Sequence, residues 1–338
     1  MPRALATMSP KQESEPVSGP LLVDASEAGL RVDAFLVGRK MLPSASAARR
    51  AVAAATVRVN GRLAKKGARL EPGDTVDLGG DLVDKPVLVP LPHLPLAVLY
   101  QDGDMVAVDK PALVPSHPLR PGEGATVAAA LVARFPECAL ASPDPREGGL
   151  AHRLDVATSG VLLAARSREF WYRLRHALAE PSCEKLYLAE IRGAWPSPER
   201  GTKDFVLAGP HPRSFVVTAP IGRRGRRGDR VKLASGREPL LARTEMTLLE
   251  ARGDLALVEA RLSRGRPHQV RAHLAYLGTP VRGDPIYGEA VADRGLGLHA
   301  WAVSFLHPAA RRPLRIEAPP PPWAQAYSNW AMLVSTRR

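Results

Sequence analysis

Cysteine is scarce in this chain. Cys138 and Cys183 are the only two among 338 residues and stand far apart, which excludes a disulfide framework and a paired-cysteine metal motif. That usage suits a reducing compartment, and the cytoplasm is the expected setting. No apolar run is long enough to span a bilayer, and no basic amphipathic helix carries aromatic anchors, so a membrane is not the expected partner. Residues 1–19 are polar and rich in Pro and Ser, without an apolar core of signal-peptide length, and are expected to form a disordered leader. Negative charge is also in short supply. Lys and Arg total 47 against 34 Asp and Glu, and the net charge of +13 favours a polyanion such as nucleic acid.

What is present divides the chain in a definite order. Residues 20–82 predict a small module of two short helices and a hairpin. Leu30, Val32, Ala34, Phe35 and Leu36 form an apolar stripe, Ser44 to Ser46 offer a cap for the second helix, and Asn60-Gly61 is a hairpin turn signal. Arg49, Arg50, Arg58, Arg62, Lys65, Lys66 and Arg69 cluster there with few local acids, as on an RNA-contacting surface. Residues 83–96 are proline-rich and predict an extended linker. A large domain is expected over 97–325, with a tail at 326–338. It opens on a hairpin turning at Gln101 to Asp104 and continues with helices near 126–135 and 169–180. In the strand 183–193, alternation sets Lys185, Tyr187 and Ala189 on one face. Arg223, Arg224, Arg226, Arg227 and Arg230 crowd a Gly-containing segment suited to phosphate contact. Near 267–278 a helix is expected with Pro267 in its first turn and Gly278 at its exit. Val270, Leu274 and Leu277 would face the core, Gln269 and Arg271 other sides, with Arg266 at the entry.

The most informative stretch is Gly149 to Arg166, GLAHRLDVATSGVLLAAR. Read as extended chain, it puts Arg153 and Asp155 on one face. Ala157 to Gly160 suit a tight turn, and Val161 to Ala165 read as a strand buried on both sides. Asp155 thus stands where a rigid strand meets a turn. There it either aims a carboxylate at a ligand or caps the turn through its own backbone.

HRLDVATSG at 152–160, KLYLAEIRG at 185–193, GRPHQVRAHLAYLGTPVRGDPIYG at 265–288 and LHAWAVSFLHP at 298–308 resemble, in order and spacing, the RluA/RluD-type pseudouridine synthases. Residues 20–80 resemble the αL-type RNA-binding domain shared by a ribosomal protein and several RNA-modifying enzymes. The resemblance implies an α+β fold with a mixed, mainly antiparallel sheet, and a cofactor-independent, metal-free isomerisation of uridine in RNA by a monomer. Large-subunit ribosomal RNA is the first expected substrate and transfer RNA the second. It implies that Asp155 is the catalytic carboxylate, as nucleophile or as base. Arg266 would be its ion-pair partner, Tyr187 would stack on the target base, and Arg153 would enter the gap left by the flipped base. His152, His268 and Arg271, from the same motifs, and Lys110, from the early run LYQDGDMVAVDKPALVPSHP that shares the resemblance, join the expected RNA contacts.

The chain departs from the family pattern at Arg264 and Pro267, which replace two threonines, at Leu113, which replaces a glycine, and at Val156-Ala157, which replace a charged pair. A glycoside hydrolase would need a second, closely placed carboxylate, and a zinc deaminase a Pro-Cys-x-x-Cys set. Neither is present. The remaining rival is a catalytically idle RNA-binding or ribosome-assembly factor that kept the scaffold.

Overall fold

The computed structural model describes residues 20–39, 41–42, 45–53, 57–78, 88–119, 123–196, 206–210, 213–224, 230–233, 237–290 and 295–328. The expected leader, Ser44 and most of the expected tail lie outside them. Two compact units divide between Lys85 and Pro86.

The first unit holds β1 (Leu21–Leu22), α1 (Val32–Gly38), α2 (Ala45–Ala53), β2 (Arg58–Val59), β3 (Arg62–Leu63) and β4 (Thr75–Asp77), its four strands ordered β1-β4-β2-β3. Val32, Phe35 and Leu36 of α1 bury against Ala48, Val57, Leu70 and Val76 and form the core face, whereas Leu30 and Ala34 of the expected stripe are exposed. Asn60 and Gly61 carry φ of 52° and 74°, the backbone a two-residue hairpin needs for its twist to match the flanking strands. Ser46 falls inside α2.

The second unit is built on an 11-stranded sheet. Its elements are β5 (Ala97–Gln101), β6 (Met105–Lys110), α3 (Val127–Arg134), β7 (Ser159–Ala165), α4 (Arg168–Ala177), β8 (Glu184–Arg192), β9 (Val206–Ala208), β10 (Ser214–Arg224), β11 (Arg230–Leu233), β12 (Arg237–Arg252), β13 (Leu255–Leu262), α5 (Gln269–Leu277), β14 (Leu298–Leu306), β15 (Pro313–Glu317) and α6 (Pro322–Gln325). The order is β11-β10-β12-β13-β8-β14-β7-β6-β5, with β15 on β14 and β9 on β10. Among the described strands β7 and β14 form the one parallel pair. Gly160 permits that approach: at φ 112°, a Cβ there would lie 2.1 Å from the Ala300 carbonyl oxygen.

β7 is apolar from Val161 to Ala165, where helices cover both of its faces. Leu162 and Ala164 pack with Val127, Leu131 and Val132 of α3, whereas Leu163 and Ala165 pack with Phe170, Trp171 and Leu174 of α4. Each fully buried leucine contributes about 1.5–3 kcal/mol. Thr126 caps α3 by accepting from Ala129 N at 3.2 Å, and Ser167 caps α4 by accepting from Phe170 N at 3.2 Å.

The proline-rich segment corrects its expectation from residue 88 onward. Leu88 and Leu96 pack on the α3 cluster and Leu91 N donates to Ala129 O at 2.9 Å, so this stretch is part of the large unit and not a free linker.

Candidate active site

The HRLD stretch is a clamped loop, not a strand. Leu150 bridges Ala164 of β7, and Ala151 N donates to Leu163 O at 2.9 Å; the chain then loops through residues 152–158 and enters β7 at Ser159. The tight turn falls two residues earlier than the small residues suggested, closed by Thr158 N donating to Asp155 O at 3.1 Å. Both flanks of Asp155 are fixed. On one side Ser116 Oγ donates to Leu154 O at 2.9 Å and accepts from Leu154 N at 3.1 Å. On the other, Lys110 Nζ donates to Val156 O at 2.9 Å and Thr158 O at 2.6 Å. Lys110 is fully buried, and burial lowers its pKa to about 8. Its expected role as an RNA contact is therefore corrected: it holds the turn that aims Asp155. Leu154 points into the core while Arg153 is exposed, which leaves Arg153 and Asp155 on the open side as alternation implied.

Helix α5 supplies the counter-charge. Its Arg271 Nη1 lies 2.9 Å from Asp155 Oδ2, and its Nε and Nη2 make a bidentate pair with Asp284 at 2.8 Å each. Asp284 is fully buried and also accepts from Ile286 N at 2.9 Å and Tyr287 N at 3.1 Å. These bonds hold its carboxyl below the usual range although burial works the other way. Arg271 is thus aimed by a buried carboxylate, with the Tyr287 ring 5.5 Å from its guanidinium carbon. The counter-ion of Asp155 is Arg271, correcting the assignment of that role to Arg266 and of Arg271 to the RNA surface.

Among the described residues Arg266 makes no ion pair with Asp155. Its backbone N–H donates to Gln269 Oε1 at 2.9 Å, while its Nε is buried without a hydrogen-bond partner among the described residues. The helix begins two residues later than Pro267 implied, at Gln269, after His268 in a left-handed conformation with φ 55°. Gly278, at φ 87°, ends it as expected. Gln269 and Arg271 are buried along with Val270 and Leu274, because α5 is enclosed and not one-sided. His268 sits against the carboxylate, Nε2 at 3.7 Å from Asp155 Oδ2 and Nδ1 at 3.3 Å from Tyr287 Oη.

Tyr187 on β8 stands opposite Ala260 and Ala300 and packs against the cores of both β8 neighbours. Burial, then the charge of Asp155, pushes its phenol well above the ordinary range, so it stays protonated. On the same face Lys185 is spent internally, its Nζ donating to Leu178 O and Ser263 O at 2.6 Å each. Asp155, Tyr187, Arg153, Arg266, His268 and Arg271 all line one cleft of about 780 Å³. His152 lines it too, but its Nε2 accepts from Leu163 N at 3.1 Å, and burial lowers its pKa to about 3. Its Nε2 is thus a neutral acceptor for the β7 backbone, while the ring still lines the cleft.

Residues 104–276 match the family described as RNA pseudouridylate synthase, and residues 30–76 match the S4 domain. The chain is 34% identical over 330 residues to the ribosomal large subunit pseudouridine synthase D of Xanthomonas campestris pv. campestris, covering 92% of each. The chain belongs to the RNA pseudouridine synthase family. It is 35% identical over 305 residues to an uncharacterized RNA pseudouridine synthase of Mycobacterium bovis, covering 87% of this chain and 92% of that one. The solved human RNA pseudouridylate synthase domain containing 1 shares the fold, with a TM-score of 0.52 at 23% identity, over 72% of this chain and 94% of that one. The enzyme is an isomerase of the RNA pseudouridine synthase class with an N-terminal S4 module.

Away from the cleft, Arg49, Arg58, Arg62, Lys65 and Lys66 are exposed on the S4 unit, Arg58 donating to Gly61 O at 3.0 Å across the hairpin turn. The Arg50 side chain lies outside the described residues. Arg223 and Arg224 end β10 and Arg230 begins β11, but their side chains, and all of Arg226 and Arg227, lie outside them as well. Sequence reasoning missed Asp284, Tyr287 and Ser116. An arginine inside an enclosed apolar helix was the available signal, since a buried guanidinium requires a carboxylate partner.

Proposed function

We propose that this enzyme isomerises uridine to pseudouridine in structured RNA, with large-subunit ribosomal RNA as its substrate and Asp155 as the reacting carboxylate. The observation that carries this reading is the Asp155–Arg271–Asp284 array: a half-buried carboxylate on a loop clamped at both flanks, paired with a guanidinium that a second carboxylate aims. The Xanthomonas relative, described as a ribosomal large subunit enzyme, supports the choice of RNA.

Isomerisation breaks the bond from C1′ of the ribose to N1 of uracil, forms one from C1′ to C5, and moves a proton from C5 to N1. A stacked base cannot present its glycosidic bond to a carboxylate, so the target must leave the stack, at a cost of a few kcal/mol. Arg153, exposed on the loop of Asp155, fills the gap. Tyr187 offers its ring to the extruded base as a neutral phenol. Asp155 acts as a carboxylate, as nucleophile at C1′ or as base at the sugar, and Arg271 Nη1, 2.9 Å from its Oδ2, holds it in place. The exposed cations of the S4 unit attract the phosphate backbone. The proposed setting is the cytoplasm, supported by two buried free cysteines.

The test is pseudouridine mapping of ribosomal and transfer RNA from cells with and without this protein. Loss of a large-subunit ribosomal site is expected. Loss of a transfer RNA site instead would overturn the choice of substrate, and identical maps would overturn the reaction.

A further inference from the structure

Beyond the reacting residues, the cleft is lined by His117, Asp144, Arg146, Glu147 and Arg175. Glu147 is the unusual member. It is half-buried, and its carboxylate makes no hydrogen bond or ion pair among the described residues. Burial, with Asp144 adding to it, pushes its carboxyl above the ordinary range. Arg146, its chain neighbour, is committed elsewhere: it chelates Asp144 at 3.0 and 2.5 Å and donates to Leu119 O at 2.8 Å. Glu147 is also held in place, its N–H donating to Asp144 O and its carbonyl accepting from Leu150 N, each at 3.0 Å. Leu150 in turn bridges β7, and His117 follows Ser116, the residue that clamps Leu154 beside Asp155. A half-buried carboxylate that no neighbouring donor satisfies, set in a cleft, is placed to meet a ligand.

The ligand's chemistry follows by exclusion. A phosphate would be repelled by Glu147. A metal ion would need more ligands than this cluster gathers, since no group of three or more His, Cys, Asp or Glu among the described residues is placed to hold one. An organic cation would meet Arg175, which lines the same cleft. A neutral N–H donor remains, and in an RNA cleft that is a base edge. A carboxylate matches two adjacent donors. The Watson–Crick edge of uracil has one donor between two carbonyls, and adenine and cytosine each present one amino group beside a ring acceptor. Guanine alone presents N1–H and N2–H side by side. Arg175, whose guanidinium carbon lies 4.7 Å from the Trp171 ring centre, offers a flat cationic surface on which such a base can stack.

We propose that Glu147 marks a second nucleotide subsite, which holds an unpaired guanine close to the target uridine and selects for it through a bidentate carboxylate contact. The inference rests on the uridine isomerisation proposed for the same cleft. The experiment incubates the purified full-length enzyme with unmodified total RNA and maps the pseudouridines formed. The modified segment is then synthesised with each of the four bases at every position flanking the target, and kcat/KM is compared. At one position guanine is expected to be favoured by roughly tenfold or more, the discrimination a bidentate contact supplies. Glu147→Gln, nearly the same size at a half-buried position, should bring that ratio close to one, and Glu147→Asp, which keeps both acceptors, should retain part of it. Because each ratio is measured within one variant, the fraction of folded protein does not affect it. Equal rates for all four bases at every flanking position would overturn the subsite while isomerisation stands. An unchanged guanine preference in Glu147→Gln would overturn the role of Glu147. No pseudouridine at all would overturn the proposed reaction, and the subsite with it.

Discussion

Removing the Arg271 guanidinium should separate stability from catalysis. In Arg271→Met the fully buried Asp284 loses both of its 2.8 Å ionic bonds and keeps only the backbone N–H groups of Ile286 and Tyr287. Breaking one partner out of a buried pair costs about 3–5 kcal/mol, and the two surviving donors set the expectation at about 3. For a unit of this size that is a fall of roughly 6–12 °C in Tm. The double variant Arg271→Met/Asp284→Leu removes the orphaned charge as well and should recover most of the loss. Activity should not recover. Asp155 loses its 2.9 Å charge-assisted bond in both variants, worth about 1.5–3 kcal/mol, or roughly 10- to 150-fold in rate. Thermal unfolding and release of tritium from C5-labelled uridine in the target RNA measure the two quantities side by side. A double variant that regains activity along with stability would refute the electrostatic role of Arg271. An unchanged Tm in the single variant would refute the buried pair itself.

Three further outcomes are expected. His273 and His299 are buried and neutral, burial lowering each pKa to about 4, whereas in the unfolded chain each titrates near 6.5. Above about pH 6.5 neither state binds the proton, and as pH falls from there toward 4 only the unfolded chain does; with His152 shifted in the same sense, urea unfolding should therefore show at least about 4 kcal/mol less stability at pH 5 than at pH 7.5, and a flat profile would contradict this. Leu113 has φ 67° and a side chain that is 71% exposed, so Leu113→Gly relieves roughly 1–2 kcal/mol of left-handed strain against about 0.5–1 of glycine entropy, and Tm should rise slightly and not fall. Deleting residues 1–85, the unit with the exposed Arg58, Arg62, Lys65 and Lys66, should weaken RNA binding several-fold and flatten its salt dependence, whereas equal affinity at matched salt would count against an RNA-contacting S4 surface.

Local chemistry made much of this molecule legible. Asn60-Gly61 could scarcely be anything but a hairpin turn, Gly278 ends α5, and the apolar run at 161–165 is buried on both faces as its lack of alternation implied. Arg153 and Asp155 share the open side because Leu154 between them must be buried. Partners distant in sequence stayed hidden. Whether Arg266 or Arg271 meets Asp155 depends on how α5 is rotated, and on an aspartate 13 positions further along that only the folded chain brings beneath it. Lys110 reads as a surface cation until the backbone carbonyls of Val156 and Thr158, 46 and 48 positions away, converge on its ammonium. The proline-rich segment lacks a period, yet Leu88 and Leu96 find apolar cover on α3, a fact of packing that composition does not carry.

The central claim is that one carboxylate, Asp155, carries the reaction while the basic surface carries the binding. Asp155→Asn is nearly the same size and removes only the charge at the reacting centre. Tritium release from C5-labelled target RNA, measured with RNA affinity on the same preparation, tests it directly. Affinity within a few-fold of the unsubstituted enzyme and no detectable release are predicted. Release at a comparable rate, with pseudouridine formed, would contradict the account.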